Sequence, residues 1–170
     1  MFDDGNNESG NFGKIKKTPV YIKAEELLVL SKHITAVVSK DDVDYLSELE
    51  GAILENHADW LVESAKTIPV RIIAAQTMEL YDVKMEHATM IRKAALEMQA
   101  HCRGLELYGF PDVEYLVLLR DDIEIFRVLF AEWVKTFDPW NYNIDRWGLF
   151  NPPGVNYDDI DPDDDLPSSS

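Results

Sequence analysis

Seven apolar residues, Leu116, Leu119, Ile123, Phe126, Phe130, Trp133 and Phe137, follow one another at alternating spacings of three and four. At about 3.6 residues per turn that rhythm lines them along one side of a helix, and no strand reproduces it. Asp112 stands before the line as an N-cap, and Asp138-Pro139 closes it. Three earlier lines keep the same period. Leu27, Leu30, Ile34 and Val37 predict a helix over 21–39, with Pro19 near its start. Val43, Leu46, Leu49, Ile53 and Trp60 or Leu61 predict a second, capped by Asp41 or Asp42. Ala88, Ile91, Ala95, Met98, Cys102 and Leu105 predict a third over 83–108, stopped by Gly109 and Pro111. Only Gly51 and Gly104 interrupt residues 20–108, and no segment there alternates with period two.

Pro69 admits two readings. It kinks one long second helix, or it sits in the first turn of a fresh helix capped by Thr67. Residues 69–78 are helical in character on both accounts, which favours one long kinked element. Four amphipathic helices with short connections then predict an all-α chain, an antiparallel up-and-down four-helix bundle. Residues 1–18 are expected as a flexible leader, 19–138 as the bundle, 139–157 as an irregular aromatic arm packed on a bundle, and 158–170 as a disordered acidic tail. Trp140, Trp147 and Phe150 are the arm's expected anchors, because soluble proteins rarely leave that much apolar surface open. Val117, Leu118, Val128, Leu129 and Val134 lie off the main line of the fourth helix. Such width suits a four-helix core or an added subunit interface.

Charge narrows the partners. Sixteen Lys and Arg face thirty-two Asp and Glu, a formal net charge of −16. Nucleic acid and anionic lipid both call for dense positive surface, so neither is the expected partner. Self-association, giving a homo-oligomer, or another protein is. The start of the chain lacks the basic and apolar regions of a secretory signal, and no run of about eighteen apolar residues occurs, so a cytoplasmic protein with no membrane partner is expected. Lys14, Lys16 and Lys17 read as a solvated lead-in.

The same helices carry few residues suited to catalysis or metal binding. Di-iron bundles need Glu-x-x-His pairs, but Leu30, Leu54, Lys84 and Met98 stand three residues before His33, His57, His87 and His101. Glu97 and His101, four apart, share a face, and His57 lies close to the apolar line of its helix. These three form the candidate polar site should the chain bind metal or act as an enzyme. Arg71, Arg92 and Arg103 are candidate anion contacts, the last two eleven residues or about three turns apart. Cys102, the one cysteine, reads as a buried inert thiol. No nucleophile motif, P-loop or dinucleotide fingerprint is present. No catalytic residue, metal ligand or cofactor is therefore assigned, and a non-enzymatic interaction or assembly module is the expected role.

Residues Ile68-Pro69-Val70-Arg71-Ile72-Ile73-Ala74-Ala75 resemble the Ile-Pro-Ala-Asn-Ile-Ala-Glu-Gly signature of small four-helix-bundle proteins associated with intervening sequences in large-subunit ribosomal RNA genes. The early Lys23-Ala24 with Leu27, and the alanine-rich stretch from Ile91 to Glu97, look similar as well. Ile68, Pro69 and Ile72 match outright, while Arg71 stands where that family has Asn. The resemblance covers about residues 20–137. It implies an up-down bundle kinked at Pro69, assembly into small rings and association with ribosomal RNA, and it carries over no catalytic residue.

Overall fold

A computed structural model describes residues 5–39 and 47–161. Among them the chain forms five helices and no strand: α1 (Gly5–Ile15), α2 (Pro19–Val38), α3 (Glu48–Thr77), α4 (Tyr81–Leu107) and α5 (Val113–Val134). α3 packs most extensively on α4 and also on α2, α5 packs on α2 and α4, and α1 touches α3. No helix of the described residues is long and apolar enough to cross a membrane.

The expected leader contains a helix. Ile15 at the end of α1 joins the core, and the Thr18 hydroxyl donates to the Ile15 carbonyl at 2.6 Å, tightening the turn into α2. The burial of Ile15 is what a reading of the Gly/Asn-rich composition overlooks. Pro19 then occupies the first turn of α2, where its missing N–H costs nothing. Ala24, Leu27, Ile34 and Val38 fill the buried side. Val37, placed on that side by the sequence, is only partly buried.

α3 departs most from expectation. Asp41, Asp42, Val43 and Leu46 lie outside the described residues. The helix starts at Glu48, and its cap is Ser47, whose hydroxyl accepts from the Glu50 N–H at 3.2 Å. Leu49 and Trp60 are exposed. The buried face is Gly51, Leu54, Ala58, Leu61, Ala65, Ile68, Ile72 and Ala75. Three of its first five members have little or no side chain, which lets neighbouring helices approach closely and leaves larger residues outside. Pro69 is buried inside this one continuous helix, so no fresh helix starts at Thr67.

The apolar line of α4 holds, with Ala94 buried in place of Ala95. The helix stops in a Schellman arrangement. Phe110 N–H reaches the Leu105 carbonyl at 2.9 Å and Gly109 N–H the Glu106 carbonyl at 3.3 Å, with Gly109 at φ +84°, a value that favours glycine. Phe110 is buried beside it. On α5, Leu116, Leu119, Ile123, Phe126 and Trp133 are buried and Phe130 is half-buried. Asp112 stands at the cap position without a side-chain hydrogen bond. The helix ends at Val134, ahead of Asp138-Pro139, yet Phe137 stays in the core, edge-on to Trp133 at 4.8 Å between centroids.

Candidate functional site

His57 stands on α3 and His101 on α4, both half-buried. Packing of the two helices brings their Nδ1 atoms to 3.1 Å. The rings are tilted by 56°, with centroids 5.4 Å apart. Tyr108, at the end of α4, also stacks on His57, with centroids 6.0 Å apart. Gly104 makes the arrangement sterically feasible: a Cβ there would lie 2.4 Å from the His57 ring. Glycine inside a helix costs about 1 kcal/mol relative to alanine, and here its absent side chain is the space that His57 occupies.

Glu97 is one turn before His101. Its carboxylate accepts from the Ser64 hydroxyl at 3.4 Å and lies 3.8 Å from Lys93 Nζ. Burial holds His101 below the usual histidine range, the nearby His57 adds to this, and Glu97 opposes it. Among the described residues no group of three or more His, Cys, Asp and Glu side chains is placed to hold a metal ion. So the structure joins His57 to His101, a contact that spacing along one helix cannot reveal. The signal available was Gly104, a lone glycine three residues beyond His101 in an otherwise helix-favouring stretch.

The three arginines are differently placed. Arg71 faces His87, with Nη1 3.4 Å from the ring Nδ1. Burial first, and Arg71 second, lower the affinity of His87 for a proton, against Glu86. Arg92 borders a shallow groove between α4 and α5 whose walls include Leu96, Phe126 and Phe130, and Arg103 is exposed. Cys102 is buried; desolvation raises its pKa, and its thiol points to the Leu116 carbonyl at 3.6 Å. That is the buried thiol expected from its position.

Two further surfaces matter. On α5, Val117, Leu118, Ile125 and Val128 are about half exposed. At about 100° per residue they fall within roughly 100° of arc, on the side facing away from Leu119 and Phe126. Ile22 and Val29 on α2 are similarly open, and with Leu118 and Tyr115 they line a second groove edged by Glu25 and Glu26. In the C-terminal arm, Trp140 and Trp147 are 87% and 91% exposed and Leu149 is exposed too, while Phe150 is partly covered and Pro152 is buried. The tryptophan rings therefore do not hold the arm to its own helices. Backbone and polar side chains make the attachment: Tyr81 N–H donates to the Asn141 carbonyl at 2.7 Å, and Asn143 N–H to Asp82 at 3.1 Å.

No family model, curated protein or solved structure matches the chain.

Proposed function

We propose that this chain is a non-enzymatic protein-interaction or assembly module, built on an antiparallel up-and-down four-helix bundle of α2 to α5. The pairings His57 with His101, Ser64 with Glu97 and Arg71 with His87 support the topology. Residue numbers rise along α3 as they fall along α4. Ion pairs across the other seams, Lys23 with Asp122 at 3.2 Å and Arg120 with Glu106 at 2.6 Å, support a closed ring of four helices.

The single observation that carries the functional reading is the set of exposed apolar residues on the outer side of α5, interspersed with the exposed Glu114, Asp121 and Glu132. A helix with apolar residues on opposite sides belongs between two layers of protein, and among the described residues this one has a layer on one side only. Val117, Leu118, Ile125 and Val128 supply the anchors, with Trp140 and Trp147 as further exposed aromatic contacts. Self-association is the favoured use. Ile68, Pro69 and Ile72, the residues shared with the ribosomal RNA-associated family, are all buried; packing accounts for them without any RNA contact, and the net charge of −16 opposes one.

The test is mass in solution. The full chain should sediment as a dimer or larger assembly, and Leu118→Asp with Val128→Asp should return it to a monomer of unchanged helicity. A wild-type monomer at micromolar concentration would refute self-association.

A further inference from the structure

Two imidazoles whose Nδ1 atoms approach to 3.1 Å cannot both present a lone pair to the gap. Something cationic or protic must lie between them: one ring's own N–H, or a metal ion. The spacing suits a ring N–H hydrogen bond and a bridging ion alike. Nitrogens bound at about 2.0–2.1 Å stand about 3.4 Å apart at a tetrahedral angle and about 2.9 Å apart at a right angle. The observed separation lies between these.

We propose that His57 and His101 form a two-histidine clamp for a divalent transition-metal ion, held through the two Nδ1 atoms across the α3–α4 interface. Each ligand is pre-positioned. Gly104 leaves room for the His57 ring, and Tyr108 stacks against it. Both residues are partly exposed, so an ion can enter and water can complete its coordination. Glu97 sits one turn from His101, with only long contacts to Ser64 and Lys93, and its carboxylate is an outer-sphere partner, since among the described residues no third protein ligand is placed at the ion. Two firm protein ligands make an open, exchangeable site rather than a structural one. Imidazole donors select copper, nickel and zinc over magnesium and calcium. Because the ligands come from two helices, ion binding favours the folded chain and raises its melting temperature.

The experiment uses the untagged full chain, stripped with chelator and titrated with NiCl2 and ZnCl2. One ion per chain should bind by calorimetry, and excess Ni2+ should raise the melting temperature by several degrees, while Mg2+ should not. His57→Gln and His101→Gln should each weaken binding by about tenfold or more, and the double variant should abolish it. His33→Gln and His87→Gln should bind as wild type. A readout free of any variant is NMR of the wild-type chain, where substoichiometric Cu2+ should broaden the His57 and His101 ring signals first. No binding, binding that survives the double variant, or broadening centred on the aspartates near the C-terminus would each overturn the clamp.

Discussion

The α3–α4 interface and the C-terminal arm use opposite materials. Between the helices, small side chains such as Ala58, Ala65, Ala88 and Ala94 are buried, and backbones come close enough for two histidines to meet. In the arm, the largest side chains in the chain stand in water, and order comes from hydrogen bonds. Asp145 alone accepts from the backbone N–H groups of Trp147, Leu149 and Phe150, at 2.8–2.9 Å. Asn151 bonds back to the Asp145 backbone at both its N–H and its carbonyl. Hydrophobicity alone therefore does not assign a residue to the core. A facing surface does, and shape decides whether one is available.

Core and arm should differ most in their response to truncation. Leu61 is fully buried on α3, and Leu61→Ala should lose about 2–5 kcal/mol of unfolding free energy. Trp147→Ala deletes a far larger ring, yet should change stability by no more than about 0.5 kcal/mol. Urea unfolding measures both. Comparable losses would mean that the arm's rings are covered after all, within the chain or by a second copy. Next in size is overpacking. Ala58→Leu places three extra carbons where α3 meets its neighbours and should cost about 1–3 kcal/mol, whereas Val128→Leu on the open face of α5 should be near neutral in dilute monomer.

Gly104→Ala sharpens the contrast further, because two effects oppose each other. Alanine gains about 1 kcal/mol in helix propensity. Its Cβ would meet the His57 ring at 2.4 Å, so the ring must leave its place beside His101 and Tyr108. We expect the two to nearly cancel, with a net loss below about 1 kcal/mol. The His57 and His101 ring resonances should nevertheless shift strongly. Unchanged ring resonances together with a full gain in stability would show that the glycine does not make room for His57.

How much of this was legible beforehand follows the same division. Six of the seven residues in the line from Leu116 to Phe137 are buried and Phe130 packs against them, readable because they are large and repeat at helical spacing, and the α4 line differed by one residue, Ala94 for Ala95. The face of α3 was misread because Gly51, Ala58 and Ala65 carry almost no hydrophobic signal, while Leu49 and Trp60 carry much. The partner of His57 was invisible for another reason. His101 is forty-four positions away, and only the packing register of two helices brings them together. Glu97 with His101 was readable, being one turn apart on one helix. The arm defeated a burial argument because its order rests on Asp145, a residue that sequence reading did not single out.

The smallest effect should come from that carboxylate, and it should be local. Three N–H groups stabilise the ionised form, led by Phe150 and Trp147, and hold Asp145 below the ordinary carboxylate value of 3.8. A group with a depressed folded pKa contributes fully above its unfolded value and loses that contribution as pH falls through the folded one. The arm should therefore be intact at pH 7 and stay so to about pH 4, loosening only at lower pH. Asp145→Asn should mimic the acid form at neutral pH, since an amide presents one acceptor oxygen instead of two and turns an NH2 group toward a backbone donor. Global melting should barely move. Amide hydrogen exchange at Trp147, Leu149 and Phe150 should accelerate, while exchange in α3 and α4 should stay as in wild type. If the variant instead lowered the melting temperature by several degrees, the arm would be part of the core's cooperative unit, and the division between the two regions would fall.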